Sequence, residues 1–300
     1  MKIAFWSNAG ERCNVSANLA AISVASVIRY PYSVVIFENH LRRNNLGKAF
    51  GWDEPDHLFH EAGTNYYEGR GMEGLLRKIY RGNYCPNILN SYLKEIINDH
   101  LYYIPQSKII HRALFDYEFD YGFRQLCSLV EEAADITMID TESQSNLSTK
   151  IILEEADLIV VNLSPNQMVL SNFFTNYTSL ISKAVFLISN VDHHDALSGK
   201  NISEQYQIPI DNIIMLPNNE FYQNAYSSGA VVEFIYRNYC CARGASNYAF
   251  IQAVQKAVTI IFRNAEQLVK QKEKNCVDFD WSPDIFDCDT GNLDVLEPVT

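Results

Sequence analysis

Residues 2–22 read KIAFWSNAGERCNVSANLAAI, and the reading of the fold starts there. An apolar run, Ile3–Trp6, enters a polar turn, Ser7–Asn14, and then a helical pattern, Val15–Ile28. A strand, a tight loop and a helix in that order aim backbone N–H groups at one point and form a cradle for an anion. A fully equipped cradle of this kind also carries several glycines, a Lys for terminal phosphates and a Ser or Thr for Mg²⁺. Gly10 is the only glycine in this stretch, no Lys stands in the loop, and Cys13 lies near the Ser/Thr position. The frame is that of a phosphate loop. The missing groups argue against efficient phosphoryl transfer.

Working outward, apolar runs alternate with helical patterns. The runs predict strands over Lys2–Trp6, Ser33–Glu38, Leu101–Ile104, Ile136–Asp140, Leu158–Leu163, Ala184–Ser189 and Ile213–Leu216. Helical spacing falls near Ala17–Ile28, Met72–Lys78, Asn87–Asp99, Phe119–Glu132, Thr149–Glu154, Asn166–Leu180 and Ile202–Tyr206, with a long closing helix over Ala245–Lys274. Several strands are apolar almost throughout, as strands covered on both faces must be. The alternation predicts an α/β fold of three layers, a mainly parallel sheet flanked by helices. We expect one domain over 1–275, with 48–100 as an elaborated helical or looped insertion and 276–300 as an acidic tail.

Composition narrows the function classes. No run approaches the ~18 apolar residues of a membrane span, and Lys2 opens directly into a strand, which argues against a secretory leader. Seven cysteines without C-x-x-C spacing read as reduced thiols of a cytoplasmic protein. The net charge of −12 falls to −5 without Cys276–Thr300, which hold seven acids and no Lys or Arg. Such a balance gives no broad footprint for nucleic acid. An acidic C-terminus would also be repelled by anionic lipid, so direct membrane insertion is not expected.

Four separated segments resemble the ParA/MinD-type P-loop ATPases, the deviant-Walker class. Residues 2–22 resemble the opening strand, loop and first helix, ending in Asn18-Leu19-Ala20. SVVIFENHLRRNNLGKAFG (33–51) resembles the second strand and the stretch after it. DITMIDTESQSNLSTKIILEEADLIVVNL (135–163) resembles the segment ending in the Walker B-like Asp and the strand that follows. Residues 184–236 contain a strand ending at Asn190, then Ile208-Pro209-Ile210, Met215-Leu216-Pro217 and the EFYQNAYSSGAVVEF pattern, read as one helix.

The resemblance implies ATP or ADP with Mg²⁺ as cofactor. It implies Asp140 as the Walker B-like carboxylate, followed by Thr141, and Glu38 where the family has a water-positioning Asp. Anchored on Asn18, Arg12 replaces the phosphate Lys and Cys13 the Mg²⁺-binding Thr, so Gly10, Arg12, Cys13 and Asn14 form the loop, and Cys13 and Asp140 the metal positions. Cys sulfur is a poor Mg²⁺ ligand, and Arg presents a planar fork rather than a point charge. His40 replaces a second family Asp, and Ser7, Asn8 and Ala9 fill the place of the Lys that reaches across the family's dimer. Asn190 and Pro217 match positions that frame the adenine. For Asp140 and Asn190, simple capping of strand ends remains the alternative.

Two functions remain open on this pattern. One is a degenerate member acting as a cytoplasmic positioning or scaffold factor. It would be a homodimer, recruited to membrane or pole by a protein partner, with pilus or secretion machinery (the TadZ type) as the preferred assembly and weak or no ATP hydrolysis. The other is a slow Mg-ATPase whose turnover switches dimerisation and partner binding. Arg42-Arg43 also match the basic pair of the family's tyrosine-kinase members, but the tail lacks the tyrosines such a kinase would modify. His57, His60 and Glu61, and the run Asp192-His193-His194-Asp195, have chelate-like spacing and read as solvated polar groups. Tyr66-Tyr67 and Tyr102-Tyr103 read equally as interface or core.

Overall fold

The computed structural model describes residues 1–40, 45–52, 71–82, 85, 87–106, 111–143, 145–191 and 198–277. Arg42, Arg43, His57, His60, Glu61, Tyr66, Tyr67, the run 192–195 and the tail from residue 278 lie outside them.

In chain order the elements are β1 (Lys2–Trp6), α1 (Val15–Arg29), β2 (Val34–Asn39), α2 (Asn45–Ala49), α3 (Met72–Tyr80), β3 (Lys94–Ile97), β4 (Leu101–Ile104), α4 (Arg112–Ala133), β5 (Ile136–Thr141), α5 (Leu147–Glu155), β6 (Leu158–Leu163), α6 (Gln167–Asn176), β7 (Ala184–Val191), α7 (Gly199–Tyr206), β8 (Ile213–Pro217), α8 (Glu220–Ser227), α9 (Val231–Asn238) and α10 (Tyr248–Val277). The strands form one sheet in the order β3-β4-β2-β5-β1-β6-β7-β8. Every pairing is parallel except β3 with β4.

Period-two alternation divides the core. Ile3, Phe5, Val34, Ile36, Met138 and Val160 face the layer holding α1, α2, α8, α9 and α10. Ala4, Trp6, Val35, Phe37, Ile139 and Val161 face α3, α4, α5, α6 and α7. Because both faces are covered, β2, β5 and β6 are buried along their whole length. Each fully buried Val, Leu, Ile or Phe contributes about 1.5–3 kcal/mol against exposure, so the central strands anchor the fold.

Three expectations change. The helix expected over Asn87–Asp99 is instead a 3₁₀ turn, Ile88–Ser91, followed by the antiparallel edge strand β3. β3 is only half-covered, and its KEII sequence lacks the continuous apolar run of an inner strand. The single helix expected across EFYQNAYSSGAVVEF is two, α8 and α9, broken at Gly229 with φ +76°. There a Cβ would stand 2.6 Å from Gly51 Cα and 2.9 Å from the Lys48 carbonyl oxygen, so only glycine lets the α8–α9 turn meet the end of α2. The helix expected over Asn166–Leu180 stops at Asn176 and continues as a 3₁₀ turn, Thr178–Lys183. Tyr103 is fully buried, which places it in the core.

Candidate functional site at the strand tips

β1 lies centrally, with β5 on one side and β6 on the other. The chain leaves β1 toward β2 and later crosses from β5 to β6, so strand order reverses around β1. Open α/β sheets bind ligands at such a reversal, beyond the carboxyl ends of the strands. Phe5 pairs with Asp140 across β1 and β5, and Glu38 pairs with Asp140 across β2 and β5. Residues paired in register project to the same face, so two fully buried carboxylates stand side by side.

The loop after β1 is a 3₁₀ turn, Gly10–Cys13, ending at Asn14 in the left-handed region (φ 50°). Gly10 has φ +63°, and a Cβ there would lie 3.2 Å from Ser143 Oγ, so the turn packs against the segment after β5. Asn14 Nδ2 donates to Asn190 Oδ1 at 2.9 Å. Asn190, at the end of β7, is also left-handed (φ 57°). Asn tolerates this conformation better than most side chains. Pro217 closes β8 and pairs with Val191, next to Asn190.

Beneath the turn, buried Asn18 donates to Asn162 Oδ1 at 2.8 Å and to Ser189 Oγ at 2.6 Å. Ser189 Oγ in turn donates to the Cys13 carbonyl at 3.2 Å. α1, β6 and β7 thereby hold the turn from below. The Cys13 thiol is buried, and burial pushes its pKa up against hydrogen bonds from Ser7 and Ser164. The backbone of Arg12 belongs to the turn, while its side chain lies outside the described side chains.

Glu38, His40 and Asp140 each bring a ligating atom into one group, all within 4.8 Å of one another. Cys13 is not a member of that group. His40 Nε2 lies 2.8 Å from Asp140 Oδ1, yet neither atom completes a hydrogen bond in direction. Asp140 Oδ2 likewise accepts none from the described residues. Burial works against charge on His40, but the charges of Asp140, Glu38 and Glu142 outweigh it and lift its pKa to about 9. The buried Tyr103 hydroxyl donates to Glu38 Oε1 at 2.5 Å. Burial, with Glu38 beside it, raises the Tyr103 pKa well above its ordinary value.

A second polar group braces the same edge. Arg112, at the start of α4, donates to Asp116 at 3.0 Å, to Glu142 at 3.0 Å and to Ser148 Oγ at 2.7 Å. Ser148 also lies 3.1 Å from Asn39 Oδ1. The tip of β2, the segment after β5 and the start of α4 are thus tied together. Sequence reading did not find Arg112, Asn162 or Ser189 and left Tyr103 between interface and core, because each acts on a residue remote in the chain. It noted His40 only as a replaced Asp.

The donor set does not suit a Mg–nucleotide held in the phosphate-loop manner. An imidazole stands against Asp140, where hydrated Mg²⁺ would need unencumbered oxygen. The thiol of the loop, Cys13, is turned to Ser7 and Ser164, and sulfur is a poor ligand for Mg²⁺.

No protein-family model and no curated protein matches the sequence. Solved structures do match the fold. A ParA family ATPase from Chlorobium tepidum TLS aligns with a TM-score of 0.64 at 13% identity, covering 86% of this chain and 98% of that one. The cell division ATPase MinD of Pyrococcus furiosus aligns at 0.61 and 14% identity, covering 86% and 98%. The septum site-determining protein MinD of Pyrococcus horikoshii OT3, solved with Mg-ADP, aligns at 0.59 and 11% identity, covering 86% and 96%. With its central β1, reversed strand order and helices on both faces, the chain has the fold of the ParA/MinD family ATPases.

Proposed function

We propose that this protein is a positioning or scaffold factor built on the ParA/MinD fold, with weak or no ATP hydrolysis. One observation carries the reading: the carboxylate at the Walker B-like position, Asp140, already has His40 against it. The loop supports it, since Cys13 stands where the resemblance expects a hydroxyl, and its thiol is engaged with Ser7 and Ser164. Electrostatic stabilisation of the phosphoryl group is nearly the whole of phosphoryl-transfer catalysis. A chain without the loop Lys and the Mg²⁺ hydroxyl keeps little of it.

In this reading the protein works as a cytoplasmic homodimer that places a larger assembly through a protein partner, with pilus or secretion machinery preferred. The covered faces of the sheet persist as a rigid platform, and recruitment to a membrane or pole runs through the partner. No helix among the described residues is long and apolar enough to cross a membrane.

The test is a titration of the purified full chain with labelled ATP and ADP, with and without Mg²⁺, beside a turnover assay and imaging of a fluorescent fusion in cells. Focal placement with turnover at background is expected. Mg²⁺-dependent turnover abolished by Asp140→Ala would replace the scaffold with a slow ATPase.

A further inference from the structure

We propose that Glu38, His40 and Asp140 bind one first-row divalent transition metal ion, zinc or manganese, without nucleotide. Three independent features point there. The ligating atoms of all three residues lie within 4.8 Å of one another; Glu38 and Asp140 are paired in register at the tips of adjacent strands, and His40 follows directly after β2. An ion with bonds of about 2.0–2.2 Å keeps its ligand atoms within roughly 4.4 Å of one another, so the group closes on a metal with small side-chain rotations.

Asp140 supplies the second feature. Its side chain is fully buried, and neither carboxylate oxygen has a hydrogen-bond partner among the described residues. Buried carboxylates elsewhere in proteins are paired, hydrogen-bonded or bound to metal. His40 Nε2 approaches Asp140 Oδ1 to 2.8 Å without directing an N–H along that line. Two ligating atoms that close need only turn slightly apart to take up a common ion between them.

The third feature is a supporting shell. The Tyr103 hydroxyl donates to Glu38 Oε1 and holds the carboxylate in orientation, as outer groups do around metal ligands. The Arg112 network fixes Asn39, next to His40, and Glu142, near Asp140.

The chemistry selects the ion. Two carboxylates carry two negative charges, which a dication neutralises in a buried site. One imidazole nitrogen favours zinc or another transition metal over Mg²⁺, which prefers an all-oxygen shell. Three protein ligands leave a coordination position for water or a small anion.

The experiment uses the full chain, stripped with chelator and free of nucleotide. Isothermal titration with ZnCl₂, MnCl₂ and MgCl₂ is paired with metal analysis after dialysis and with the absorption spectrum of a CoCl₂ titration. One equivalent of zinc or manganese is expected, with Mg²⁺ at least tenfold weaker. The cobalt spectrum should lack a thiolate charge-transfer band, since Cys85 and Cys240 are exposed thiols that could otherwise bind. His40→Gln and Asp140→Asn should each abolish that equivalent while circular dichroism stays native. Tyr103→Phe should weaken it about 10–100-fold. His111→Ala, at an exposed site, should leave it unchanged. Absence of binding at millimolar metal overturns the site, as does binding that survives both His40→Gln and Asp140→Asn. Metal uptake seen only with added ATP or ADP also overturns it and points to a nucleotide-linked ion instead.

Discussion

Asn14 and Asn190, 176 residues apart, both adopt left-handed backbone and join their side-chain amides at 2.9 Å. This contact closes the loop after β1 onto the tip of β7. Neither residue is glycine, so each conformation carries a backbone cost that the paired amides help to offset. Asn190→Ala removes the acceptor and should lower stability by about 1 kcal/mol. It should also speed amide exchange in residues 10–14 more than in the central strands. Equal protection in variant and wild type would show that the turn is held from below alone.

The support from below is the heavier one. Asn18 is buried, and its amide bonds to Asn162 and Ser189. Asn18→Ala leaves Asn162 Oδ1 without its donor in the core, while Ser189 Oγ keeps its bond to the Cys13 carbonyl, and a buried polar group left unpaired costs about 1–3 kcal/mol. Urea unfolding of Asn18→Ala should show a lower midpoint at unchanged slope. Asn18→Leu should do no better, since the partners remain polar.

Gly229 supports a larger prediction. A Cβ there meets the backbone at the end of α2: Gly51 Cα at 2.6 Å, Gly51 N at 2.8 Å and the Lys48 oxygen at 2.9 Å. None of these is the end of a flexible side chain. Gly229→Ala should therefore destabilise by about 2–4 kcal/mol, combining left-handed strain with forced displacement. Thermal unfolding measures the loss. A cost below about 1 kcal/mol would show that α2 shifts freely.

Asp157 gives a pH dependence. Burial pushes its carboxyl up, but Lys272 at 2.7 Å and the Lys2 backbone N–H at 2.8 Å outweigh burial and hold its pKa below the ordinary value. A carboxylate whose folded pKa is depressed stabilises the fold above its unfolded pKa, about 3.9. That contribution is lost as pH falls through the folded value. Asp157→Asn should cost about 1 kcal/mol at neutral pH. The gap from wild type should narrow as pH falls below about 4 and close once pH lies below the folded value, as read from urea midpoints across pH. A constant gap would mean that the loss is one of packing.

The parallel strands were legible because each is an apolar run of the right length, and a strand buried on both faces can be little else. β3 was not, because an edge strand needs apolar residues on one side only, and Lys94-Glu95 open it with charge. The break at Gly229 was hidden for another reason: the glycine answers a contact with Gly51, 178 positions earlier. The site divides in the same way. Sequence order placed Glu38 and Asp140 at strand ends, and the register brings them together. His40 beside Asp140, and Tyr103 on Glu38, are relations between segments that no local pattern encodes. The positions given to Gly10, Arg12, Cys13, Asn14, Asn190 and Pro217 rest on the resemblance, and the nucleotide titration addresses them.

His40 also bears on timing. Nucleotide turnover gives a positioning protein a clock, because each hydrolysis event ends one bound state. An imidazole anchored to the polypeptide beside Asp140 is never released as product. On the proposed reading, the dwell of this protein at its location would then follow from concentration and dissociation rate, and its cell would adjust that dwell through synthesis and degradation.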